Sequence, residues 1–153
     1  MKSEGVGAYL YSRMPARDPL TILLKNAAGQ VLVDPAGFLR LHWSGPLRAL
    51  ADTQAMFTIA AQALNEHGWS RILVNQVHML PFTPQEQLWI SQEWLPAAVR
   101  DSGYRAGAVV VATNVLTRLA TAFVISSVPQ LPLRYRSFDL EKMAIQWLLT
   151  QPV

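Results

Sequence analysis

Four groups of side chains in this sequence are of types that could do chemistry, and the first is Asn75-Gln76-Val77-His78, which follows the short apolar run RILV. Loops at the carboxyl ends of parallel strands are where ligands bind in open α/β sheets. Asn75, Gln76 and His78 are therefore candidate ligand contacts, set against the plainer reading of polar residues that satisfy their own backbone. His78 could act as an acid or base, but no nucleophile or carboxylate stands beside it to share the work. His42 and His67 are isolated in sequence, so a metal site would need the fold to bring the three imidazoles together.

The second group is Thr83-Pro84-Gln85-Glu86. It reads as a helix start: Thr83 as N-cap, Pro84 where a missing N–H costs nothing, and Glu86 three residues on to close a capping box. A phosphate on Thr83 would meet the positive end of a helix dipole, so the same residue reads as a cap or as a regulatory phosphorylation site. The third group is aromatic. Trp89 and Trp94 fall off the best apolar stripe of their helix, and with Phe82 they are candidates to line a pocket or a partner surface; the alternative is a broad helix face packed in the core. On a later run, Arg134 and Arg136 alternate with Tyr135, which is either an anion patch or an ordinary solvated strand face.

The signatures of known catalytic machinery are missing. There is no G-x-S-x-G, H-E-x-x-H or P-loop, and Gly5-Val6-Gly7 does not sit between a strand and a helix as a dinucleotide fingerprint must. With no cysteine in the chain, disulfides, thiolate nucleophiles and thiolate-held zinc or iron–sulfur clusters are excluded. The expectation is a non-enzymatic domain without cofactor or metal.

A length of 153 residues, 51% hydrophobic and 15% charged, is enough for one core and far from the composition of disordered chains. The net charge of +3 is spread over single Lys and Arg residues with no basic run, which predicts no nucleic-acid partner. The first residues lack the apolar stretch of a secretory signal, and a cytoplasmic protein is expected. Between Ala106 and Val128 the one charge is Arg118. A membrane span would place it near the bilayer centre, at a cost of about 2.5–3.5 kcal/mol, so the stretch is read as a buried strand, a cap at Thr113 and Asn114, and an amphipathic helix. No transmembrane segment is predicted.

These residues must be positioned by regular elements. Residues 1–19 read as an N-terminal tail or leader, and residues 20–153 as one domain. LTILLKN and QVLVD form a hairpin about Ala28 and Gly29, and FLRLHW alternates, with Phe38, Arg40 and His42 on one face and Leu39, Leu41 and Trp43 on the other. A helix follows from about Leu47 and closes at Gly68. RILVNQV and RAGAVVVAT read as buried strands, and RYRSF as the last one. The Thr83 helix buries Leu88, Leu95, Ala98 and Val99, with a kink or restart at Pro96, whose ring costs about 3 kcal/mol inside a regular helix. The next helix carries Leu116, Leu119, Ala120, Phe123 and Ser127 at helical spacing. The final helix has Asp139 as N-cap, a stripe of Leu140, Met143, Ala144, Trp147 and Leu148, and Phe138 stapled onto Met143. The order β-β-β-α-β-α-β-α-β-α predicts an α/β fold: a mixed sheet, antiparallel at its start and parallel at its centre, flanked by about four helices.

With AGQVLVDPAGFLRLHW, GWSRILVNQ and LRYRSFDLEKMAIQWLL in this order, the chain resembles the SpoIIAA-like branch of the STAS superfamily over Leu20 to Pro152. The resemblance implies a regulatory or protein-interaction domain of the bacterial cytoplasm, like the anti-sigma-factor antagonists. In those proteins an Asp-Ser pair opens the helix after the central strand. Here Pro81-Phe82-Thr83-Pro84 stands in that place, so Thr83 matches the position without the Asp. Some relatives are compared with lipid-transfer domains, which implies the alternative of a carrier for a small apolar ligand held between the Thr83 helix, the Asn114 helix and the sheet. The expected partner is thus a protein, a second copy of the chain in a homodimer, or a small apolar ligand, met on the surface around Val77 to Trp94.

Overall fold

The hairpin and the alternating run after it build the antiparallel side of one six-stranded sheet. In the computed structural model, which describes residues 19–152, these are β1 (Thr21–Asn26), β2 (Gly29–Asp34) and β3 (Phe38–Trp43). The expected leader lies outside the described residues as far as position 18. The turn falls at Ala27 and Ala28, one residue earlier than expected. Gly29 already pairs with Trp43, and at φ 148° a side chain there would run into the His42 carbonyl.

From β3 onward the sheet is parallel. After a first covering helix, α1 (Leu50–His67), three further strands complete it, β4 (Arg71–Asn75), β5 (Ala106–Val110) and β6 (Arg134–Phe138), in sequential order from β1 to β6. Since every parallel crossover steps the same way, right-handed connections put all the intervening helices on one face. These are α1, a rod made of α2 (Pro84–Trp89), a π-helical turn (Ile90–Trp94) and α3 (Leu95–Asp101), and then α4 (Val115–Ser126). The last helix, α5 (Glu141–Thr150), lies on the opposite face over β4, β5 and β6. The chain is therefore an α/β protein with a mixed sheet and four helical rods. No helix among the described residues is long and apolar enough to cross a membrane.

The π-helical turn is how the rod accommodates Pro96. The Leu95 N–H reaches back to the Ile90 carbonyl, five residues away, and Pro96 then sits in the first turn of α3, where no N–H is required. The expected restart is present, but the extra residue shifts the helical phase by about 100°. Leu95, Ala98 and Val99 are buried as expected, whereas Leu88 faces solvent.

Two more stripes turn out otherwise than periodicity predicts. In α4 the inward residues are Thr117, Thr121 and Val124, while Leu116, Leu119 and Phe123 point outward, each more than half exposed. In α5 only Ala144 and Leu148 of the expected stripe are buried; Leu140 and Met143 are exposed. Asp139 does not cap α5, whose N-cap is Leu140, and Phe138 packs on Trp147 at 5.8 Å.

Candidate functional site

The three helical rods on one face do not press equally on the sheet. α1 covers the antiparallel half, and the Trp94 indole donates to the Phe57 carbonyl at 2.7 Å, tying the π-helical turn to α1. Phe57 is the hub of an aromatic cluster, 4.5 Å from Trp94, 5.5 Å from Trp43, 6.1 Å from Trp89 and 6.3 Å from Phe82. Phe82 and Trp94 are thus core residues and not a surface. Trp89 is half-buried against the same core.

α4, by contrast, leans on α2 and the π-helical turn. Its start is fixed by Asn114, whose side chain accepts from the Leu116 and Thr117 N–H groups. Its inner face is held by two hydroxyls: Thr117 donates to the Met79 carbonyl at 2.7 Å, and Thr121 donates to Gln76 Oε1 at 3.2 Å. Small polar residues facing inward leave space that larger apolar ones would have filled.

That space has two parts. An open groove of about 580 Å³ runs between α4 and the β5–β6 edge, walled by Val109, Val111, Leu119, Ala122 and Ile125, with Arg118 at its rim. A chamber of about 40 Å³ lies deeper, among Trp43, Phe57, Trp94 and Tyr104. Gln76, Thr121, Ile125 and Tyr135 line both, so these four residues stand between the two volumes. The groove alone falls in the roughly 300–1,000 Å³ range of small-molecule sites.

The deep end is polar in a specific way. Tyr104 and Tyr135 converge over Gly107, where an added methyl would lie 2.3 Å from the Tyr104 hydroxyl and 2.8 Å from the Tyr135 ring. Burial pushes both phenols well above the ordinary tyrosine value, and for Tyr104 the neighbouring Tyr135 adds to it. Both hydroxyls therefore stay protonated. Trp43 Nε1 is, among the described residues, a buried polar atom without a partner. Gln76, its carbonyl oxygen taken by Thr121, retains two amide hydrogens.

The other expected contacts are dispersed. Asn75 Oδ1 accepts from the Val77 N–H in its own turn, and His78 is exposed. His67 bonds the Ala63 carbonyl at 2.9 Å and stacks on Trp69. No group of three metal-binding side chains occurs among the described residues. Thr83 forms the expected capping box, its Oγ1 accepting from the Glu86 N–H while its own N–H donates to Glu86 Oε1 at 2.8 Å. A phosphate on Thr83 would displace this cap and stand against the Glu86 carboxylate, a repulsive placement. On β6, Arg134 bonds Gln151 and Arg136 lies over the Phe138 ring, while Tyr135 turns to the other face.

Of the residues expected to contact a ligand, the structure brings Gln76, Phe82 and Trp94 to the chamber. Sequence reading missed Tyr104, Thr121, Tyr135 and Gly107. The available signals were a glycine inside an apolar strand, which marks a close approach, and Thr117, Thr121 and Val124 at helical spacing. Comparison of the chain with protein-family models, curated proteins and solved structures finds no match.

Proposed function

We propose that this domain binds or carries a small, largely apolar ligand beneath α4. The observation that carries the reading is the 580 Å³ groove, which shares Gln76, Thr121, Ile125 and Tyr135 with the deeper chamber. The wall is chiefly aliphatic and aromatic with a few convergent polar groups, the usual make-up of such sites. Titration with a neutral solvatochromic dye tests it. One dye should bind saturably per chain, and Ala122→Trp, which plugs the groove from its rim, should abolish binding while the thermal midpoint stays within a few degrees. Absence of saturable binding, or equal binding by the plugged variant, would overturn the reading.

A second reading, a regulatory or protein-interaction domain as the SpoIIAA-like resemblance implies, is favoured by a different observation. Val115, Leu116, Leu119 and Phe123 form one outward stripe on α4, each more than half exposed. Contiguous apolar surface of this kind marks partner sites more often than scattered exposed residues do.

A further inference from the structure

The walls of the inner chamber offer more hydrogen-bond donors than the protein uses. Tyr104 and Tyr135, whose hydroxyls are donors, line these walls. The amide hydrogens of Gln76 and the unpartnered Trp43 indole stand in the same wall. Buried polar groups almost always find a partner, so the chamber is suited to a group that accepts hydrogen bonds.

Charge narrows the choice. Among the described residues, no charged one lines the chamber. One cation beside it, Arg48, lies over the Trp43 ring at 5.3 Å, but its guanidinium is already bonded to both Glu86 oxygens and to the Leu80 and Pro81 carbonyls. An anion buried here would meet no counter-charge among the described lining residues, and the setting that keeps both tyrosines protonated disfavours a carboxylate for the same reason. Size narrows it further. About 40 Å³ admits roughly three water-sized groups, enough for a carbonyl and its neighbours but not for an alkyl chain.

Resting on the binding function proposed above, we infer that the ligand enters polar end first and that this end is a neutral carbonyl (ketone, aldehyde or ester) seated among Tyr104, Tyr135, Gln76 and Trp43, with its alkyl remainder along the groove under α4. Arg118 stays at the rim, where an anionic end would have to remain outside.

The test is dye displacement by three probes of equal chain length, 2-octanone, octane and octanoate. A single net hydrogen bond to a carbonyl corresponds to about tenfold in affinity, so 2-octanone should displace the dye at least about tenfold more effectively than octane, and octanoate should be the weakest. In the Tyr104→Phe/Tyr135→Phe double variant, which keeps both rings, the ketone should fall toward octane while octane is unchanged. The carbonyl resonance of ¹³C-labelled 2-octanone should shift downfield on binding to the natural chain and less so with the variant. A ketone no better than octane, an octanoate that binds best, or an unshifted carbonyl resonance would each overturn the inference and leave the binding function standing. If the dye binds but no probe displaces it, the chamber chemistry is wrong; if the dye itself does not bind, the binding function fails first.

Discussion

Arg48, in the loop after β3, and Glu86, in the first turn of α2, face each other through two parallel contacts of 2.9 Å, with both side chains withdrawn from solvent. Thr53 of α1 adds its hydroxyl to the same carboxylate, and the guanidinium also holds the Leu80 and Pro81 carbonyls. One ion pair thereby ties together the loop before α1, α1 itself and the loop that leads into α2. Because each Glu86 oxygen accepts two hydrogen bonds, it fixes where the rod begins and so where the aromatic wall of the chamber stands.

Removing one partner should be far costlier than its distance from the groove implies. Arg48→Met strands a buried carboxylate, and losses of this kind amount to about 3–5 kcal/mol. Urea unfolding of Arg48→Met, Glu86→Met and the double variant measures it. The double variant should be clearly more stable than the sum of the singles; strict additivity would show that the two groups do not act as a pair.

The same carboxylate gives the domain an acid limb. Burial pushes Glu86 up, but hydrogen bonds from Arg48, Thr53 and the Thr83 N–H, with the Arg48 charge, outweigh it and hold the group below its ordinary value of 4.5. A carboxyl that is lowered on folding stabilises fully above the unfolded value and loses that contribution as pH falls through the folded one. Stability should therefore decline below about pH 4.5. Glu86→Gln should be less stable at pH 7 and show a shallower decline, read from urea midpoints across pH 2–7.

Neither the pair nor its consequences are visible in the sequence, since Arg48 and Glu86 are 38 positions apart and nothing local links them. What is legible is whatever depends on near neighbours. The capping box at Thr83, the Asn114 cap, the Gly68 terminus and the alternation of β3 all emerge as read, because each is settled within a few residues. Helix faces are not settled so. Leu88 and Leu95 would share a face in a regular α-helix, but the π-helical turn between them adds a residue and separates them. In α4 the apolar stripe is read correctly and its direction is not. Thr117 and Thr121 can face inward because Met79 and Gln76 supply acceptors, and those partners lie on a strand-end loop far away in sequence. The candidate site follows the same division, for Gln76 is marked by its loop while Tyr104 and Tyr135 are joined only across the sheet.

The outward stripe of α4 should contribute to association and little to folding. Leu119→Ser with Phe123→Ser changes residues that are each more than half exposed, so stability should move by less than about 1 kcal/mol. If the stripe is a homodimer surface, sedimentation velocity should show a concentration-dependent dimer in the natural chain and a monomer in the variant. A natural chain that stays monomeric at high concentration removes the second copy as its partner.

Gly107→Ala tests the floor of the chamber. Its methyl would meet the Tyr104 hydroxyl and the Tyr135 ring at distances no ordinary contact allows, so the rings must move. Overpacking of this kind costs about 1–3 kcal/mol. Thermal unfolding should register the loss, and the dye should bind more weakly because the displaced rings take up chamber volume. An unchanged midpoint would mean that the two tyrosines are looser than their close approach to Gly107 implies.

The tyrosines should also set how the domain fails in alkali. Both phenols are raised on folding from the ordinary value of 10.0, so their contribution is complete below that pH and lost as pH rises through the folded values. Between those limits each group that stays protonated in the fold while ionising in the unfolded chain lowers stability by about 1.4 kcal/mol per pH unit. Urea unfolding at intervals from pH 9 to 11.5 should therefore show a steep fall in the natural chain. The Tyr104→Phe/Tyr135→Phe variant should follow a shallower limb. Parallel limbs in the two proteins would show that the hydroxyls are hydrated in the fold, and with that the case for a dry, donor-lined chamber would fall.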